Sequence, residues 1–297
     1  MANFRKITIK DKEWADEILK RGVCESLECN FTTMFIWRNI YNIKISPLQD
    51  GNFLSASAGK GYFLFPIGSG NIKGAVEEIF EYCRDNDIIP GFYSLTEDNK
   101  KMLEEWYPDM FEYIEMRDGA DYIYEKDKLA TLVGKKLSSK RNHINRFIEN
   151  NPDWKYEEID SSNIDEVFEM NKKWCEIAEC ENSKGLKEEG CAVSEAFKNF
   201  DRLKLSGGLI RANGRVVAFS MGDRLNEETF LVHIEKAFAD IQGAYPVINR
   251  EFVIHNCADY KFVNREDDTG DEGLRKAKLS YRPCIILKKW DAKLKVN

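Results

Sequence analysis

The chain has 297 residues, 43% of them hydrophobic and 32% charged, with a formal net charge of −7. Its 18 Phe, 12 Tyr and 6 Trp supply a core and exclude disorder of the whole chain, and only 7 Pro and 19 Gly exclude collagen-like or low-complexity sequence. No apolar run reaches the roughly 18 residues a membrane helix needs, and the start Met1-Ala2-Asn3-Phe4-Arg5-Lys6 has no apolar leader, so a cytoplasmic location without a transmembrane segment is expected.

In chain order, Ile7–Ile9 reads as a strand, Lys12–Lys20 as a helix, and Thr32–Tyr41 as a second helix with Thr32 as its N-cap. Three strands follow, Ile43–Ser46, Asn52–Ser57 and Gly61–Pro66, separated by turn residues. Ile72, Val76, Ile79, Phe80 and Cys83 repeat at helical spacing. Strand Ile88–Ser94, helix Glu97–Tyr107 and strand Phe111–Met116 close the first half. A strand over Gly119–Tyr124 and a helical region from Asp127 to Asn150, broken near Gly134 and Ser138, connect to the second half. There, strand Trp154–Ile159 leads to a helix starting at Ser161 or Ser162 and another over Val193–Leu203. Strands Leu205–Ala212, Val216–Arg224 and Thr229–Lys236 come next, with Asn213-Gly214 as a hairpin signal. Helix Ala244–Ala258, strand Tyr260–Asn264, helix Gly273–Leu279 and strand Cys284–Trp290 complete it.

Both halves read β, α, α, β, β, β, α, β, α, β, which points to tandem duplication of one α+β fold, each copy a mixed central sheet flanked by helices. The expected division is 1–118, a connecting strand and basic helix over 119–150, and 151–297. The element order resembles that of GNAT acyltransferases, and fold order alone carries function only by analogy.

Charge is unevenly spread. Residues 128–147 sum to +6 and residues 274–297 to +7, so the remainder sums to −20. Either segment suits an anionic ligand or a solvated basic face. Cys24, Cys29, Cys83, Cys175, Cys180, Cys191, Cys257 and Cys284 form no CxxC, which favours reduced thiols over zinc; no metal site is expected.

Alternation over Thr229–Lys236 puts Phe230, Val232 and Ile234 on one face and Leu231, His233 and Glu235 on the other. An acid on a central strand needs a partner or a task, which makes Glu235 a candidate general base, with His233 beside it. Gln242-Gly243-Ala244 opens the following helix, where free amides attract phosphate or a developing oxyanion. Over 264–278, EF-hand spacing fails at Glu272 and Lys278, so calcium is excluded. Arg265 is expected to hold its acidic neighbours Asp267 and Asp268, Asp271 to cap a helix, and Arg275, Lys276 and Lys278 to face an anion. Lys140, His143 and Phe147 share a helix side, as a phosphate-binding stripe or as a linker face packed on the acidic remainder.

Together these stretches resemble the phosphatidylglycerol lysyltransferase C-terminal-like family. The resemblance is carried by Gly119–Tyr124, Lys135-Lys136, Lys140–Phe147, Ile234–Ala237, Gly243–Tyr245, Ile248-Asn249, Asn264–Asp268, Gly273–Lys278, Tyr281 and Pro283. It implies a tandem GNAT fold, related to the Fem aminoacyltransferases, and an aminoacyl group moved from a charged tRNA or similar anionic donor to an amine or hydroxyl acceptor such as a phospholipid headgroup. Peripheral contact with anionic phospholipid is also implied. The catalytic set is then Glu235, His233 and Asp267. The binding set is Lys136, Lys140, Arg141, His143, Gly243, Ala244, Tyr245, Asn249, Arg265, Arg275, Lys276, Lys278 and Tyr281. The lipid-modifying members carry an N-terminal membrane region, which is missing from this sequence. The alternatives are a CoA-dependent N-acyltransferase, with acyl-CoA as cofactor, and an inactive module binding nucleic acid or anionic lipid. A CoA-binding loop is usually richer in glycine than Gln242-Gly243-Ala244.

Overall fold

The computed structural model describes residues 1–59 and 61–295. The first half holds β1 (Arg5–Lys6), α1 (Lys12–Leu19), α2 (Phe31–Trp37), β2 (Lys44–Leu48), β3 (Phe53–Ser57), β4 (Tyr62–Leu64), β5 (Ile67–Gly68), α3 (Ile72–Asp85), β6 (Gly91–Leu95), α4 (Glu97–Trp106) and β7 (Phe111–Glu115). The connector holds β8 (Asp121–Glu125), α5 (Lys126–Thr131) and α6 (Ser138–Asn150). The second half holds β9 (Lys155–Glu158), α7 (Ile164–Ile177), α8 (Lys184–Lys198), α9 (Phe200–Leu203), β10 (Ser206–Ala212), β11 (Arg215–Arg224), β12 (Thr229–Ala237), α10 (Ala244–Asn256), β13 (Phe262–Asn264), α11 (Glu272–Ser280), β14 (Ile285–Leu287) and β15 (Trp290–Leu294).

Apart from the short β5 and α9, and the last expected strand, Cys284–Trp290, which is split into β14 and β15 in different sheets, the repeated order is the expected one. Two ends moved. The second helix is capped by Asn30, whose side chain accepts from the Thr33 N–H at 3.0 Å, so Thr32 lies inside the helix and is buried. Helix α8 starts at Lys184, well before Val193, because Ser183 caps it; Gly185 and Gly190 had masked its propensity.

The chain forms two compact units. Unit 1 comprises residues 1–121, 267–272 and 286–297; unit 2 comprises 122–266 and 273–285. The contiguous boundaries at 118 and 151 are thus not those of the units. A terminal strand is routed into the earlier sheet, which no local pattern reveals.

Unit 1's sheet runs β1-β2-β3-β4-β6-β15-β7, with β5 on β3. Its core is aromatic: Phe4, Phe53, Phe63, Phe65, Phe92 and Phe111 pack with Val76, Ile79 and Leu95, under the apolar faces of α3 and α4. The other sheet runs β14-β8-β13-β12-β11-β10-β9. Each sheet holds a parallel pair, β4 with β6 and β12 with β13, and a helix crosses between its members.

The parallel pairing in unit 2 is short. Thr229, Phe230 and Leu231 face Phe262, Val263 and Asn264, and β12 then runs on to Ala237 without β13 beside it. Opposite, Met221 pairs with Ile234 and Gly222 with Val232, leaving His233 as the extra residue of a bulge. Gly222 is required there, since a Cβ would lie 2.2 Å from the Leu231 carbonyl oxygen.

The expected reduced thiols at two close pairs are instead disulfides, Cys24–Cys29 and Cys175–Cys180. Tight turns bring their Cα atoms to 6.2 and 5.2 Å, within bridging range.

Candidate active site

Glu235 stands on β12 beyond Leu231, where the parallel neighbour has been lost. Its Oε1 accepts from Arg265 Nη2 at 2.7 Å and its Oε2 from Asn249 Nδ2 at 2.9 Å. Both oxygens are therefore engaged. Glu235 is not the unencumbered carboxylate a general base calls for.

Arg265 follows β13 in a tight bend. Its N–H donates to the Tyr122 carbonyl at 3.0 Å, and Asn264 Oδ1 accepts from the Glu266 N–H at 2.8 Å. Its guanidinium lies 4.8 Å from the Tyr281 ring centre and 5.6 Å from that of Tyr124. Arg265 thus holds a carboxylate on another strand rather than Asp267 and Asp268. The Tyr124 hydroxyl donates to the Lys278 carbonyl at 2.8 Å, and Lys278 Nζ donates to the Arg265 carbonyl. Burial pushes the Tyr124 and Tyr281 hydroxyls up, so both stay protonated. Lys140, from the first turn of α6, places its Nζ 4.1 Å from the Tyr281 ring centre. Burial lowers its ammonium pKa, Arg265 lowers it further and Glu235 opposes them.

Two buried polar atoms of this network have no hydrogen-bond partner: Arg265 Nη1 and Asn249 Oδ1. One is a donor and the other an acceptor, and both groups are anchored to Glu235. Unpaired buried polar atoms are few in native proteins and mark places a ligand or water can complete.

His233 is separate from Glu235, because the bulge breaks the alternation that would have put them side by side. Its Nε2 lies 3.0 Å from Asp223 Oδ1 and its Nδ1 3.0 Å from Glu266 Oε1. Burial alone would lower the imidazole pKa; the two carboxylates reverse this and raise it to about 9. His233 is then an imidazolium at neutral pH, locked in place, and cannot accept a proton. Asp267 belongs to unit 1, where its charge acts on Lys289.

The other candidates divide. Arg141 donates to the Leu132 carbonyl and, at 2.9 Å, to that of Gly134, closing the end of α5. Lys136 and His143 are exposed. Gly243 has φ 88°, and a Cβ there would lie 2.3 Å from the His143 carbonyl oxygen and 2.9 Å from Phe147 Cβ, so it lets α6 press on the start of α10. The Ala244 N–H donates to the Ile241 carbonyl, the Val247 N–H to that of Gly243, and Pro246 has none, so these three positions offer no free amide. Tyr245 accepts from Trp174 Nε1 at 3.2 Å. Arg275 is half-buried and Lys276 exposed on α11.

Sequence reasoning missed Asp223, Trp174 and the pair Lys236–Glu189 (2.6 Å), in which Lys236 Nζ also lies 3.8 Å from the Trp174 ring centre. Asp223 ends the run of buried residues in β11, which was a usable signal.

A strand that outruns its parallel partner beside a helix-linked neighbour, with a buried polar network on the freed segment, is the arrangement of a tandem GNAT-like fold. The chain belongs to the family described as phosphatidylglycerol lysyltransferase, C-terminal, whose model matches residues 21–293. It is similar to a conserved protein of unknown function from Bacteroides thetaiotaomicron, at 36% identity and a TM-score of 0.94, covering 99% of this chain and 100% of that one. It also resembles the C-terminal domain of a protein named as a lysylphosphatidylglycerol synthetase from Agrobacterium fabrum, with 14% identity, a TM-score of 0.69, and coverage of 97% and 92%. A GNAT-family acetyltransferase from Colwellia psychrerythraea, 7% identical with a TM-score of 0.52 over 99% and 100% of the two chains, shares the fold alone. Among the described residues, no helix is long and apolar enough to cross a membrane.

Proposed function

We propose that unit 2 transfers an aminoacyl group from an activated ester donor, an aminoacyl-tRNA or a chemical equivalent, to a hydroxyl or amine acceptor such as a phospholipid headgroup. The observation that carries this reading is the pair of orphan atoms on the Glu235 network. Arg265 Nη1 offers a donor to the ester carbonyl oxygen as it gains charge. Asn249 Oδ1 offers an acceptor to the amino group of the aminoacyl moiety. Glu235 orients both. Lys136, Arg275 and Lys276 hold the anionic donor or an anionic membrane surface. An acyl-CoA donor is disfavoured, because α6 occupies the turn at Gly243 where backbone amides would be needed.

The test is transfer of a labelled amino acid from charged tRNA to phosphatidylglycerol vesicles or to small amines, with acetyl-CoA as a competing donor. Glu235→Gln releases the guanidinium and is expected to lower turnover by about 10²–10³-fold, the scale of a misaligned oxyanion donor. Turnover of acetyl-CoA without transfer from tRNA would overturn the donor assignment.

A further inference from the structure

An attacking hydroxyl or amine must lose a proton, and the groups of this network are not equally able to take it. Both oxygens of Glu235 are occupied by Arg265 and Asn249. His233 is held as an imidazolium between Asp223 and Glu266. Lys278 Nζ donates to the Arg265 carbonyl, and the Tyr124 hydroxyl to that of Lys278. Arginine stays charged at any working pH.

Lys140 differs. Its Nζ rests over the Tyr281 ring, 4.1 Å from the centre, on the ring that also carries the Arg265 guanidinium at 4.8 Å. Among the described residues it makes no ion pair, and no carboxylate anchors it. The groups around it are Arg265 at the end of β13, Glu235 on β12 and Tyr281 after α11. Its neighbour on α6, Arg141, is turned away to the Leu132 and Gly134 carbonyls. A half-buried ammonium without a counter-ion of its own, next to a guanidinium, is the arrangement that favours a neutral amine.

We propose that Lys140 is a catalytic residue, the one that takes the proton of the acceptor; this rests on reading unit 2 as an aminoacyl-transfer site. The neutral amine accepts the acceptor's O–H or N–H proton as that atom attacks the ester carbonyl carbon. A carbon–oxygen or carbon–nitrogen bond forms, and the carbonyl oxygen takes the displaced electron pair beside Arg265 Nη1. The intermediate collapses, the bond to the donor's ribose oxygen breaks, and the Lys140 ammonium returns its proton to that leaving oxygen. The amine ends neutral, and neither an oxidant nor a further reactant is consumed.

The first measurement needs no activity. The intact protein is treated with acetic anhydride across a pH series, and mass spectrometry follows acetylation at Lys140 and at exposed Lys136. Half-modification of Lys140 at lower pH than Lys136 is expected; an equal or higher pH overturns the proposal. The second is turnover. Lys140→Arg keeps the charge but cannot release a proton, and is expected to cost about 10²–10⁴-fold. Lys140→Ala should be equally impaired and recover with added propylamine. Turnover of Lys140→Arg near that of the unaltered protein, with the pH profile unmoved, would reduce Lys140 to an anion-holding charge. An unaltered protein inert with every donor and acceptor would overturn the function reading itself, a result distinct from an active Lys140→Arg.

Discussion

Each unit buries a charged network, and the two are built differently. In unit 1, Lys289 lies wholly buried between Asp121, at 2.6 Å, and Glu28, at 2.7 Å. The second Asp121 oxygen accepts from the Leu27 N–H at 2.9 Å. Glu28 accepts in addition from Ser26 and, at 2.7 Å, from Ser94. No polar atom of this triad is left without a partner. In unit 2, Glu235 is saturated but its partners Arg265 and Asn249 each keep one atom unpaired. Unit 1 also has orphan atoms, but they are the hydroxyls of Thr33, Tyr107 and Tyr113, side chains buried for their hydrocarbon. A closed ionic network fixes the path of the chain, here at the residue before β15 and the first residue of β8. An open one holds groups ready for something else.

Breaking the closed network gives the largest expected effect. Lys289→Met keeps the chain length of the stem but leaves the buried Asp121 and the half-buried Glu28 without their cation. Leaving a buried charge uncompensated costs about 3–5 kcal/mol. Urea unfolding of the variant should show that loss with an unchanged slope. A loss under about 1 kcal/mol would mean that the triad is as wet as a surface pair, and the contrast between the units would collapse.

The next effect concerns His233, whose network is closed although it sits on the same strand as Glu235. Its pKa is raised from 6.5 to about 9. A group with a raised folded pKa stabilises the fold fully below its unfolded pKa, and that stability is lost as pH rises through the folded value. The window is therefore roughly pH 6.5 to 9, and the full shift corresponds to about 3 kcal/mol. Thermal melts should fall across that window and flatten in His233→Asn. A midpoint insensitive to pH there would return His233 to the list of groups able to accept a proton.

The element order was legible because turns, caps and apolar periods are local. The strand β15 was not, since a segment from 290 to 294 carries no mark of which sheet it joins. Glu235 could be singled out by the expense of an acid on a central strand, and Arg265 by the charge density around it. Their pairing could not, because it depends on β12 outrunning β13. The bulge at His233 was hidden for a related reason: it is a property of two strands, and alternation was read along one. Gly243 was visible as a glycine opening a helix, but two demands produce the same letter, an anion cradle and a close helix contact. Only the position of His143 and Phe147 against it separates them.

The smallest effect tests whether an orphan atom means the same thing in both units. Thr33 lies in α2 with its hydroxyl buried and unpaired. Its backbone N–H is held by the Asn30 cap, a bond that a side-chain change leaves intact. Valine has nearly the same shape and a similar helix propensity, so Thr33→Val removes an unsatisfied oxygen and little else. The expected result is unchanged or slightly increased stability, by at most about 1 kcal/mol, with transfer activity unaltered. Asn249→Leu is the matching change in unit 2. It also deletes an orphan oxygen, but it takes from Glu235 Oε2 the amide that donates to it at 2.9 Å. Transfer should fall there while unit 1's variant keeps it. Equal activity in the two variants, measured with the same charged-tRNA assay, would show that the open network is as much a structural remnant as the threonine hydroxyl.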